Sequence, residues 1–417
     1  LFDASGSAQK PQKAGSAPWS PLRHATFRSL WLASVFSNIG TWIQSTATAW
    51  LMTSLTTSPL MVSLVQTASS LPIFLLVLPA GALADIFDRR RLILCTQLWM
   101  LAAAASLGLL TATGHIHPWS LLAFTTLLAL GAALNAPAWQ SIIPELVNQH
   151  EIPSAVALNS AGFNVARSIG PAVGGLIVGL YGVDTAYLLN AFSYLGVIWV
   201  LYRWRGTAPP EERAQRNIWK AMKAGFSFMR ETSSLRRLML NAASFAVSAS
   251  ALMALLPLLA KVYLQTDAVG FGILLASFGS GAVLGALFLP LVRSHLPMEK
   301  MNLAASLLFA ATLPVLAHFH YFHAACACLI LAGMSWLMFL ASTNSTVQIT
   351  VPTHLRGRGL SIYMFIVFGG MAVGSVFWGS VAKAVGVSWA LNLAAISLIL
   401  NSLVISFLSL QAERKNF

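Results

Sequence analysis

The chain has 417 residues, 57% of them hydrophobic and only 9% charged, and its 25 Lys and Arg outnumber its 12 Asp and Glu to give a formal net charge of +13. Soluble domains are about 45–50% apolar and about 25% charged, so a water-soluble fold is excluded and the chain reads as an all-α polytopic membrane protein. At about 20 apolar residues per crossing there is room for roughly twelve transmembrane helices, which excludes a single-span receptor or an anchored soluble enzyme.

In chain order, a polar tail over residues 1–28 carries no apolar region with a cleavage site after it, so the first helix is expected to be its own membrane signal. Apolar runs then predict spans at 29–53, 60–84, 92–113, 118–143, 154–180 and 185–203. The polar interval 204–237, with Pro209-Pro210, Glu211-Glu212 and a cluster of Lys and Arg, reads as a linker holding an amphipathic helix around Ile218–Phe228. A second set of spans follows at 238–263, 269–292, 302–322, 324–350, 359–383 and 388–410, then a short tail over 411–417. The expected organisation is therefore two bundles, 29–203 and 238–410, joined by the linker.

The cations fix the orientation, because Lys and Arg stay on the cytoplasmic side. With both termini inside, the cytoplasmic segments hold Lys10, Lys13, Arg23, Arg28, Arg89, Arg90, Arg91, Arg293, Lys300, Arg356, Arg358, Arg414 and Lys415, besides nine in and beside the linker. The opposite side holds only Lys261 and Lys383. This asymmetry accounts for the positive charge without a nucleic-acid partner. Cys95, Cys326 and Cys328 all sit in apolar stretches, so neither a structural disulfide nor a zinc site is expected.

The halves repeat each other at an offset of 204 residues: Gly81-Ala82-Leu83 matches Gly285-Ala286-Leu287, Gly170 matches Gly374, Gly175 matches Gly379, and Gly182-Val183 matches Gly386-Val387. Such duplication implies two pseudosymmetric six-helix bundles with a substrate site near the midplane between them.

Two motifs stand out. After the second span comes Gly81-Ala82-Leu83-Ala84-Asp85-Ile86-Phe87-Asp88-Arg89-Arg90-Arg91, where small residues let helices approach, an acid can cap a helix or pair with arginine, and the basic run holds the loop inside. The fifth span carries Ala166-Arg167-Ser168-Ile169-Gly170-Pro171-Ala172-Val173-Gly174-Gly175. The first resembles the loop motif between helices 2 and 3 of the major facilitator superfamily, and the second is similar to its antiporter motif. The stretches Asn38–Gln44, Pro144–Val147, Ala157–Arg167 and Arg356-Gly357-Arg358 resemble the enterobactin-exporter-like branch. The resemblance implies an inner-membrane secondary transporter that works as a monomer, without a cofactor, and exports siderophores, drugs or related amphipathic molecules on inward proton flow.

On the fifth span Ser160, Asn164, Arg167, Pro171 and Gly174 share one stripe. Arg167 falls near mid-membrane and must face protein or water, either as a fixed charge for an anionic substrate or as a hydrogen-bond hub holding neighbouring helices. Gly170, Pro171, Gly174 and Gly175 are expected at the interface between halves, received by a ridge of Ser277, Gly281 and Gly285 on the eighth span. Gly369, Gly370, Gly374 and Gly379 on the eleventh suggest the symmetric contact with the second. With Gly81, Asp85 and Arg89 to Arg91 as a cytoplasmic latch, these form the expected gate.

Polar and aromatic residues inside spans complete the substrate candidates: Asn38 and Trp42 with Ser45, Asn135 and Trp139, Asn241 and Phe245, Asn344 and Gln348, and Tyr363 with Phe365 nearby. All twelve acids fall in loops or at helix ends, which departs from proton-coupled relatives that carry a mid-membrane acid. Asp85, Glu145 and Asp184 remain as proton-carrier candidates. His115 and His117 match the cluster of His318, His320 and His323 at the repeat offset, so they fall in outer loops of opposite halves and no metal site is expected. Three rival readings remain: an importer on the same fold, a lysophospholipid mover, and a transport-dead sensor using the linker. A membrane enzyme is disfavoured, since no acid, base, nucleophile or metal constellation lies in the spans.

Overall fold

The computed structural model describes residues 18–204, 232–352 and 355–414, and their side chains except at 78, 81–86 and 408–414. The linker helix expected around Ile218–Phe228 and the contacts of Gly81 and Asp85 lie outside the described residues. Twelve long helices are described: α1 Ala25–Leu55, α2 Pro59–Ile86, α3 Arg89–Ala112, α4 Pro118–Ile142, α5 Ile152–Tyr181 and α6 Val183–Arg203, then α7 Ser233–Leu258, α8 Ala268–His295, α9 Met298–His318, α10 Phe322–Thr350, α11 Arg356–Val385 and α12 Val387–Arg414.

Eleven of them are long and apolar enough to cross a membrane. The exception is α1, where Ser34, Ser37, Gln44, Thr46, Thr48 and Thr53 are all buried. A polar group without water must find its partner inside the protein. Here the buried Asn190 amide donates to Gln44 Oε1 at 2.5 Å and Thr48 donates to the Tyr187 hydroxyl at 3.3 Å, tying α1 to α6.

Local chemistry sets the helix ends. Asp88 caps α3 by accepting from the Arg91 backbone N–H at 2.7 Å, and Asp267 caps α8 by accepting from Gly270 at 2.9 Å. Gly182 and Gly386, at φ of +91° and +92°, end α5 and α11 in a backbone conformation that only glycine adopts freely. They stand 204 residues apart, so the repeat is present in backbone geometry as well as in residue identity.

Packing follows the same repeat. In the first half α1 packs on α5 and α6, α3 on α4 and α6, and α2 on α4; in the second, α7 packs on α11 and α12, α9 on α10 and α12, and α8 on α10. The halves meet chiefly through α5 against α8 and α2 against α11, two contacts that exchange when the halves are exchanged.

The glycines show how close these contacts are. A Cβ placed on Gly175 would meet the Ala268 carbonyl oxygen at 2.5 Å, and one on Gly272 would meet the Pro171 carbonyl oxygen at 2.6 Å. Gly379 packs in the equivalent way on Ser63 and Leu60 of α2, and Gly369 on Phe74. The expected α8 ridge is corrected: Gly281 faces Ile330 and Gly285 faces Met334 of α10, while the α8 surface that receives α5 is Ala268, Gly272 and Gly279. Gly170 and Gly174 are also not at the interface between halves but pack on Trp42 and Ile43 of α1, and Gly370 and Gly374 pack on Ala246 and Val247 of α7.

Among the described residues, one end of the molecule carries Arg89, Arg90, Arg91, Arg293, Lys300, Arg356 and Arg358, and the other only Lys261 and Lys383. Among the described residues, the hydrogen bonds and ring contacts between halves run from the cation-poor end to mid-span. Lys261 Nζ donates to the Thr53 carbonyl at 2.9 Å, Trp50 stacks on Phe271 at 5.8 Å, and Thr67 donates to the Ala372 carbonyl at 3.1 Å. The deepest is Phe74 against Phe365, with ring centroids 4.2 Å apart. Nearer the cation-rich end α5 exposes Val156, Ser160, Phe163 and Asn164. Among the described residues the cleft between halves is therefore sealed at the cation-poor end and open at the cation-rich end.

Candidate functional site: a charged cleft between the halves

Helix α5 advances about 100° per residue, so its contacts divide its surface into faces. Gly162, Ala166, Gly170 and Gly174 lie toward α1; Ser168, Pro171, Gly175 and Gly179 lie toward α8. Val165, Ile169, Leu176 and Leu180, between 48% and 64% exposed and all apolar, form the row on the outside, as a lipid-facing surface requires. The remaining face, between the α1 and α8 contacts, carries Ser160, Asn164 and Arg167. It points into the cleft.

Arg167 lies midway along α5, where an arginine facing lipid would cost at least about 2.5–3.5 kcal/mol. Its side chain is half-buried and makes no hydrogen bond or ion pair among the described residues. The hub alternative therefore finds no support in this state. The neighbouring Asn164 donates an amide N–H to the Ser160 carbonyl at 2.9 Å, and its side-chain carbonyl oxygen has no hydrogen bond among the described residues. Across from them on α1, Trp42 sits over Gly170 with its ring edge-on to Phe163 at 6.4 Å, and the half-buried Asn38 lies one turn away. Trp42 is thus packed beside the face that carries Asn164 and Arg167, with Asn38 on the same side of α1.

The other expected substrate residues are placed elsewhere. Asn135 accepts from Thr96 at 3.1 Å and Trp139 donates to Asn159 at 3.1 Å, both inside the first half. Phe245 is fully buried, stacked on Phe339 at 3.8 Å, and Tyr363, 2% exposed, donates to the Leu340 carbonyl at 3.1 Å. In this state both are core of the second half rather than cleft wall. Gln348 donates to Asn344 along α10, and Asn241 is half-buried on α7.

At the cation-rich end Arg89 donates to the Ser141 carbonyl at 3.2 Å and pairs with Glu145, while Arg90 donates to the Leu201 and Tyr202 carbonyls at 2.7 and 2.9 Å. Arg91 contributes its backbone N–H to the Asp88 cap. These arginines staple α3 to α4 and α6 inside one half, and no contact to the other half is described for them. Arg293, 204 residues after Arg89, likewise donates to a carbonyl, that of Ala341 on α10 at 3.4 Å, but among the described residues it pairs with no acid and its Nε is buried without a partner.

The sequence reading missed the seal. Lys261 stands on a π-helical turn, Leu259–Tyr263, and also reaches Ser54 at 3.1 Å and the Trp50 ring at 5.7 Å. The signal was available, since Lys261 is one of only two cations at its end of the molecule.

Comparison with known proteins places this geometry. The family model described as transmembrane secretion effector matches residues 16–416. The chain is 26% identical to the staphyloferrin A transporter of Staphylococcus aureus over 90% of this chain and 94% of that protein. It is 24% identical to the enterobactin exporter of Salmonella typhi over 85% of each, and 22% identical to macrolide efflux protein A of Streptococcus pyogenes over 87% of this chain and 90% of that one. Among solved structures, a bacterial homologue of the human lysosomal transporter Spinster, inward-facing and unoccupied, superposes with a TM-score of 0.73 at 15% identity over 94% of this chain and 97% of that one. A POT-family transporter superposes with a TM-score of 0.74 at 13% identity over 92% and 96%; at such identities the likeness speaks for the fold alone. The chain belongs to the transmembrane secretion effector family of the major facilitator superfamily, and it is a membrane transporter of small molecules, not an enzyme.

Proposed function

We propose that this transporter exports small amphipathic molecules, siderophore- or drug-like, across the inner membrane by alternating access, drawing on inward proton flow. The observation that carries the reading is the cleft, sealed at the cation-poor end and open at the cation-rich end. If Lys and Arg mark the cytoplasmic face, the termini are cytoplasmic and the cleft is open to the cytoplasm, the state in which an exporter loads. The enterobactin exporter and the macrolide efflux protein among the relatives support the direction and the class of the cargo. We take the working unit to be the monomer, since each half finds its partner within the chain.

Proton coupling must work without a mid-span acid, which leaves Asp85, Glu145 and Asp184 as sites on the protein. The test uses membrane vesicles of both orientations with a fluorescent neutral amphipath supplied outside. Inside-out vesicles should take it up when their lumen is acidified, and a protonophore should stop the uptake. Uptake confined to right-side-out vesicles would instead make the chain an importer.

A further inference from the structure

Among the described residues Arg167 has no counter-charge. No Asp or Glu lies within any apolar span, and among the described residues the ion pairs are His24 with Glu151 and Arg89 with Glu145, both at the cation-rich end. In this state the guanidinium is half-buried and unpaired among the described residues. When alternating access closes the cation-rich end its burial deepens, and an unpaired charge near mid-span opposes the closure.

The repeat sharpens the point. The positions of α11 that correspond to Ser160, Asn164 and Arg167 at the 204-residue offset are Met364, Phe368 and Met371. They fall on the same face of their helix, between its contacts with α2 at Phe74 and with α7 at Ala246 and Val247, and Val373 and Phe377, exposed by 66% and 52%, take the outer face. One wall of the cleft is thus cationic and hydrogen-bonding, and its symmetry mate is apolar and aromatic at the half-buried Met364 and Phe368, while Met371 is buried in the core of the second half.

Resting on the export reading, we propose that the transported molecule carries an ionised acid group that pairs with Arg167 and an apolar body that lies on Met364 and Phe368. A carboxylate, or another oxyanion of similar size, takes two parallel guanidinium hydrogen bonds, and the Asn164 carbonyl oxygen is left for a hydroxyl or amide N–H beside it. The bound anion supplies the missing counter-charge, so the loaded carrier closes its cation-rich end more readily than the empty one.

The probes are 1-naphthaleneacetate, 1-naphthaleneacetamide and 1-naphthylmethylamine, which share a ring and differ in charge, titrated calorimetrically into the full chain in nanodiscs. The carboxylate should bind about tenfold or more tightly than the amide, and the amine most weakly. Arg167→Gln should bring the carboxylate down to the amide's affinity, and Arg167→Lys should keep part of the preference. Equal affinities for the three probes in the wild-type chain overturn the proposal whether or not either variant folds, and so does a preference that survives in a folded Arg167→Gln. Flux of the amide in inverted vesicles separates this failure from failure of the export reading. Outward pumping without an anion preference removes only the role of Arg167, and absence of pumping with the preference intact removes only export.

Discussion

Two cations with opposite situations mark the ends of the cleft. Arg167 has no hydrogen bond or ion pair among the described residues, whereas Lys261 is fully used: its ammonium sits at the C-terminus of α1, donating to the Thr53 carbonyl at 2.9 Å, one of the acceptors a helix end leaves open, and lying over Trp50. Because donor and acceptor belong to different halves, this bond must break before the cation-poor end can open. Lys261→Met should therefore favour the outward-open state by about 1 kcal/mol, roughly fivefold in population. Spin labels at Thr57 and Lys383, both exposed at that end, should show a larger long-distance fraction, and an unchanged distribution would deny Lys261 the role of clasp. The Arg89–Glu145 pair is a different kind of contact. Both side chains are partly exposed, at 25% and 29%, and both lie in one half, so Glu145→Ala should lower stability by about 1 kcal/mol or less, read as a small drop in thermal midpoint.

Small residues on α8 serve two neighbours, and substitutions should separate them. Gly272→Leu drives a side chain into the Pro171 carbonyl between halves and should open the cation-poor seal with little loss of folded protein. Gly281→Leu drives one into the Ile330 backbone within the second half and should lower the melting temperature and the yield of folded protein, since overpacking of this kind costs about 1–3 kcal/mol. Size-exclusion profiles of the purified variants, with label distances on the first, check both outcomes. The same helix shows where the sequence stops being informative. Spacing of small residues says that a helix has a close neighbour, yet α8 carries two such stripes, and spacing cannot say which one meets α5 and which meets α10. Phe245 and Tyr363 carry the same ambiguity, because an aromatic inside a span fits a core and a cleft wall equally well. Arg167 was legible because a charge in a span has only one tolerable direction, away from lipid. Gly182 and Gly386 were legible because the repeat places them at the same turn.

At the scale of the whole molecule, the exchanged contacts of α5 with α8 and α2 with α11 give two seams that tilt together, so opening one end of the cleft closes the other. The cation asymmetry of the sequence already distinguished the two ends. It did not indicate which end is shut, since that depends on side chains such as Lys261, Trp50 and Phe271 meeting across the halves. The most direct test of alternating access measures both ends in one preparation, with labels at Thr57 and Lys383 on the sealed end and at Gln149 and Thr350 on the open end. Introducing Lys261→Met should lengthen the first distance and shorten the second in the same fraction of molecules. If both distances lengthen together, or the second stays fixed while the first grows, the halves do not rock about a central cleft and the transport mechanism proposed for this chain is wrong.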